Sequence, residues 1–193
     1  GAQTTSDAAA LLGSPRVRVN SPAAILGNYQ VGTADFGPPV SAAGVTASVA
    51  QVSPADGCSA ITTPLSGKIA LIDRGNCNFV VKTKNAQTAG AVGVIIVDNT
   101  TNATPPGMTG ADATLTIPTV SITQANGALI KAQLTVGVNA TLLLDTWPRE
   151  AAALERRTGL PAWAALPSAV TTVSLLVAVF GFYWDVAWHI DKG

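Results

Sequence analysis

Two short apolar runs, KIALID at residues 68–73 and VGVIIVD at 92–98, flank a segment of helical character, and this constrains the fold more than any other feature. The first is bounded by Gly67 and Gly75, as suits a strand buried on both faces, and the second is an unbroken β-branched run. The intervening FVVKTKNAQTA (79–89) places Phe79, Val80, Ala86 and Ala89 on a face that can cover a sheet. Asn78 is predicted to be its N-cap, and Gly90 to end it in the left-handed region. Lys82 and Lys84 are expected on the solvated side of that helix. A strand, a helix of about three turns and a second strand make a crossover unit, so the two strands are predicted to be parallel neighbours. The loop RGNC (74–77) turns the chain out of the first strand, with Gly75 expected at positive φ.

Around this unit the chain reads as further strands. RVRVN (16–20) and GVTASVAQV (44–52) alternate apolar and small polar residues, as half-buried strands do, and a Gly- and Pro-rich connection joins them. TIPTVSI (116–122) is predicted to be an edge strand because Pro118 interrupts it, Thr123 to cap the helix QANGALIKAQL, and VGVNATLLLD (136–145) to return as a strand. The fold class expected is α/β (α+β), with mixed strands and short flanking helices.

The 193 residues, 48% hydrophobic, suffice for one domain with a core and an additional segment. Eleven basic and eleven acidic residues cancel, which argues against nucleic acid as a partner and against a polybasic membrane patch. Only 11% of residues are charged, a bias that suits a secreted or surface-displayed protein. No export signal is visible at the N-terminus. Asp56, Asp98, Asp112 and Asp145 stand singly, without metal-site spacing, and no phosphate-binding glycine loop occurs, so neither a metal nor a cofactor is expected. Asn99, Asn102 and Asn139 begin Asn-x-Thr sequons and are candidate glycosylation acceptors if exposed in loops, although chance occurrence in a Thr-rich chain accounts for them equally well.

Beyond residue 146 the composition changes: all four tryptophans, both glutamates and the single histidine lie there. The division expected is an N-terminal extension (1–13), a globular module (14–146), a linker (147–165), a transmembrane helix (166–188) and a short tail (189–193). LPSAVTTVSLLVAVFGFYW (166–184) holds nineteen residues without a charge and ends in an aromatic cluster, long enough to span a bilayer, with a buried or partner-packed helix as the competing reading. Arg149, Arg156 and Arg157 upstream, against Lys192 alone downstream, favour a cytosolic module by the positive-inside tendency, although long domains and an upstream export signal can override that charge count. Asp185 and His189 share a helical face, better read as interfacial solvation than as a metal or proton site.

Residues 65–99 (LSGKIALIDRGNCNFVVKTKNAQTAGAVGVIIVDN), the preceding GCSA (57–60) and the later MTGADATLTIPTVSIT (108–123) together resemble a protease-associated (PA) domain. The resemblance covers roughly residues 14–146 and none of the tail. It implies a compact β-sandwich or barrel flanked by helices, of the kind carried by subtilisin-type proteases, aminopeptidases, vacuolar sorting receptors and membrane-anchored ubiquitin ligases. Within such proteins it binds or gates peptides and proteins and has no catalytic residues of its own. The tail has Tyr-Trp-Asp and no Gly-x-Gly-Asp, so it does not resemble the intramembrane aspartyl proteases that also carry a PA domain.

Cys77 as a nucleophile would need a neighbouring base, and the module has no histidine. The alternative is a bridge from Cys58 to Cys77, which the resemblance also implies; it closes a loop of about twenty residues and contributes about 3 kcal/mol by chain entropy. Asp73 and Arg74 end a buried strand, where ion pairs or hydrogen bonds would fix the turn. The other reading of Arg74 is a ligand contact, and the candidate contact loop is Arg74, Gly75, Asn76 and Asn78, together with the stretch 100–110. The function expected is a non-catalytic PA domain, extracellular or at the cell surface, that binds a peptide or protein. The alternative is an accessory domain covalently linked to a peptidase domain outside these residues.

Overall fold

The computed structural model describes residues 13–145. The predicted transmembrane segment, the linker, Asp185 and His189 lie outside the described residues. Among the described residues, no helix is long and apolar enough to cross a membrane.

Eight strands form one mixed sheet: β1 (Ser14–Ser21), β2 (Gly27–Gln30), β3 (Gly32–Thr33), β4 (Val45–Gln51), β5 (Ile69–Asp73), β6 (Gly93–Val97), β7 (Thr119–Ile122) and β8 (Val138–Asp145). Helix α1 (Phe79–Thr88) links β5 to β6, and helix α2 (Gln124–Gln133) links β7 to β8. The sheet order is β2-β1-β8-β4-β5-β6-β7-β3. Strands β4 to β7 run parallel, with Leu71 opposite Ile95 and Ile95 opposite Val120. The remaining pairs are antiparallel. The two edge strands, β2 and β3, are separated in the chain by Val31 alone. Since two successive peptide units span at most about 7 Å, the edges of the sheet must curl toward one another, and the result is a nearly closed barrel.

The alternation along each strand divides the core in two. Val17, Val49, Ile69, Leu71, Ile95, Val97, Val120, Ile122, Ala140 and Leu142 point to one side and pack with Ile130 of α2. On the opposite face, Ala70, Ile72, Val94 and Ile96 pack with Ala86 of α1 and with Phe36, Leu65 and Met108. Strands β5 and β6 are therefore buried on both faces, as the apolar run of β5 predicts. Helix α2 approaches the sheet closely because Gly127 lies against Val97: a Cβ at this glycine would stand 2.1 Å from Val97 Cγ1.

Three local expectations change. Strand β7 is not an edge: it is fully buried, and the two-residue β3 covers its outer side. Pro118 immediately precedes it and still contributes its carbonyl, which accepts from Val94 N–H at 2.9 Å. Asn78 occupies the N-cap position of α1, but its side chain makes no capping bond, whereas Thr123 caps α2 by accepting from Asn126 N–H. Lys82 is not solvated. It is completely buried, on the stripe formed by Phe79, Lys82, Thr83 and Ala86.

Candidate functional site

Strands β5 and β6 end side by side, and the loops that leave them form the rim of the molecule where the predicted contact residues lie. Arg74 prolongs the pairing by donating its N–H to Val97 O at 2.9 Å. The chain then turns sharply through Gly75 at φ 133° and Asn76 at φ 57°. Only glycine takes the first of these cheaply.

Two anchors hold this turn. The first is the disulfide Cys58–Cys77, with Cα atoms 5.8 Å apart. Asp56 reinforces it: one carboxylate oxygen accepts from Asn76 Nδ2 at 2.8 Å and the other from Cys58 N–H at 3.2 Å. The Asn76 amide, followed by the Cys58 N–H, holds Asp56 below the usual carboxylate range. From beneath, Lys82 Nζ donates to the Asp56 carbonyl at 2.5 Å and to Cys58 Sγ at 3.3 Å, while Asn85 Nδ2 donates to Gly57 O at 2.8 Å. Burial lowers the Lys82 pKa, and the neighbouring Asp56 and Asp73 carboxylates oppose that shift.

The second anchor is Asp98 at the end of β6. Its buried carboxylate accepts from Arg74 Nη1 at 2.7 Å, Asn99 N–H at 2.9 Å and Thr100 Oγ1 at 2.6 Å. Burial is the largest single influence on its pKa and raises it, but these donors together outweigh burial and leave it lowered. Asp73 pairs with Lys131 of α2 rather than with Arg74. Arg74 is thus fixed on one side by Asp98 and rests over the Phe79 ring, 5.7 Å from its centroid, yet keeps 35% of its side-chain surface open.

These constraints shape an open groove of about 360 Å³ lined by Arg74 to Phe79, Asn99 and Thr100. All four predicted contact residues, Arg74, Gly75, Asn76 and Asn78, line it. A second depression of about 310 Å³ lies across Arg74, between the ends of β5 and β6 and helix α2, bordered by Asp73, Asp98, Gln124 and Lys131. Of the stretch 100–110, only Thr100 reaches the first groove. Pro106 and Met108 are bonded instead to Ser121 of β7 and to Thr33 of β3.

Among the predicted glycosylation acceptors, Asn99 and Asn102 are exposed in the loop after β6. Asn139 is not in a loop: it lies on β8, half-buried, and accepts from Asn20 Nδ2 at 2.8 Å. Sequence reasoning missed the parts played by Asp56, Lys82 and Asp98. The spacing of Phe79, Lys82, Thr83 and Ala86 carried a signal for Lys82, because residues three, four and seven apart share a helical face. Asp56 and Asp98 each have partners one or two residues along the chain, but the contacts that tie them to the turn, with Asn76 and Arg74, span 20 and 24 residues and leave no local signal.

Residues 45–130 match the family model described as PA domain. Human ER degradation-enhancing alpha-mannosidase-like protein 3 is 51% identical over 53 residues, which are 26% of this chain and 6% of that protein. Signal peptide peptidase-like 3 of Arabidopsis thaliana is 33% identical over 124 residues, 61% of this chain and 23% of that protein. Among solved structures, an aminopeptidase from Aneurinibacillus sp. strain AM-1 superposes with a TM-score of 0.54 at 26% identity, covering 69% of this chain and 31% of the aminopeptidase chain. The chain thus spans less than a quarter of these two curated relatives. The family match takes in β4 to β7 and most of α2, including both anchors and every residue that lines the groove. Residues 45–130 are accordingly a PA domain.

Proposed function

We propose that the module is a non-catalytic docking body that holds a peptide or protein segment along the groove at Arg74–Phe79, Asn99 and Thr100. The observation that carries this reading is a rim immobilised from both sides, by the disulfide with Asp56 and by the Asp98 cluster, while part of Arg74 remains open. A rigid loop loses little entropy on binding, and a half-free guanidinium is suited to capture a carboxylate or backbone carbonyls. Asn99 and Asn102 are the exposed candidates for glycosylation, and a glycan on Asn99 would narrow the mouth of the groove. The location proposed is extracellular or lumenal, consistent with the disulfide. Membrane attachment through residues 166–188 belongs to the same proposal.

A second reading is favoured by the likeness to an aminopeptidase and to a signal peptide peptidase-like protein. In it the module is the accessory domain of a peptidase whose catalytic part lies outside this chain, and the groove presents or gates that enzyme's substrate. Both readings use the same surface.

The test is selection of binders from a peptide library by the full chain, followed by affinity measurement on Arg74→Lys. Lysine keeps a cation beside Asp98 but loses the planar fork and its stacking on Phe79. The expected result is an enriched peptide family whose affinity falls about five- to tenfold in the variant, with melting little changed. No enriched family, or peptides indifferent to Arg74, would overturn the assignment.

A further inference from the structure

The two sulfurs of the bridge occupy unlike surroundings. Cys77 lines the open groove and Cys58 does not. On the other side, the buried Lys82 directs Nζ at Cys58 Sγ from 3.3 Å and is held there by its bond to the Asp56 carbonyl. Thiol–disulfide exchange is governed by which sulfur is accessible and by how well the departing sulfur is stabilised as thiolate. The open groove favours attack at Cys77, and the Lys82 ammonium favours departure of Cys58, outweighing the Asp56 and Gly75 carbonyl oxygens that stand 3.6 Å from Cys58 Sγ.

We propose that Cys77 is a thiol-modification site, at which an anionic low-molecular-weight thiol of the glutathione class forms a mixed disulfide while Cys58 departs under Lys82. The incoming thiolate attacks Cys77 Sγ from the groove, where the open part of Arg74 favours an anionic reactant. A new sulfur–sulfur bond forms at Cys77 and the Cys58–Cys77 bond breaks, its electron pair going to Cys58. The Cys58 thiolate gains a charge-assisted hydrogen bond from Lys82 Nζ, or takes a proton from it. The incoming thiol is the only co-reactant, and attack by the Cys58 thiolate on Cys77 Sγ expels it and restores the bridge. Burial lowers the Lys82 pKa, which also eases proton transfer to the departing sulfur. The modification would open the loop between Cys58 and Cys77 and place the adduct in the groove, without requiring that the groove bind a peptide.

The full chain is treated with reduced glutathione, stopped at low conversion with N-ethylmaleimide, and mapped by peptide mass spectrometry. The expected product carries glutathione on Cys77 and the maleimide on Cys58, in about tenfold excess over the reverse arrangement. In Lys82→Met the attack should slow by about tenfold and the preference shrink toward parity, whereas Lys82→Arg should retain the preference. Glutathione found equally on both sulfurs, or mainly on Cys58, in the natural chain would overturn the proposal, as would a folded Lys82→Met chain with unchanged rate and preference. Should that variant fail to fold, the mapping on the natural chain decides alone.

Discussion

At the scale of single residues, Asp98 concentrates the electrostatics of the rim. Its folded pKa is lowered, so its contribution to stability is fully present above the unfolded carboxyl value of about 3.9 and is lost as the pH falls through the lower folded value. Asp98→Asn should therefore lose about 1–3 kcal/mol at pH 7, because Arg74 and Thr100 lose a charged acceptor. It should also flatten the decline in stability below about pH 4. Asp56 and Asp112, both lowered as well, leave the remaining slope in place. Urea midpoints at pH 7 and pH 3 measure both effects. Gly75 and Thr123 could be assigned from sequence because the demand on each is local: a turn conformation in one case, a helix start in the other. Asp98 could not, since its role depends on an arginine 24 residues earlier that only the parallel pairing of β5 and β6 brings alongside.

At the scale of elements, the crossover of β5, α1 and β6 was legible because its signal is the length and apolarity of two strands together with the spacing between them. The edge assignment of β7 failed because Pro118 lies just outside the strand, and because β3, only two residues long, is too short to leave a periodic signature. The buried face of α1 was half-legible. Phe79 and Ala86 indicated it, but lysine reads as polar unless a carbonyl and a sulfur wait beneath the helix, as they do for Lys82. Two predictions belong at this level. Gly127→Ala adds a methyl where Val97 already stands, and the overpacking should exceed the gain in helix propensity, for a net loss of about 1–3 kcal/mol measurable by thermal unfolding. Replacing Cys58 and Cys77 together by serine releases a tether with a sequence separation of 19, and should cost about 3 kcal/mol in denaturant unfolding.

At the scale of the whole molecule, curling the mixed sheet until its edges nearly meet leaves the loops after β5 and β6 at one rim, supported by two separate hydrophobic clusters. The mixture of parallel and antiparallel strands followed from the sequence; a barrel was one of the two forms the family resemblance implied, but the residues themselves did not mark the closure, because it depends on a single residue, Val31, joining opposite edges. The central claim is that this rim is the docking surface of the PA domain. Backbone amide chemical shifts, recorded on the full chain as a library-selected peptide is added, test it most directly. The account predicts saturable shifts concentrated at Arg74–Phe79 and Asn99–Thr100; shifts confined to β1 and β2, with the rim unmoved, would contradict it.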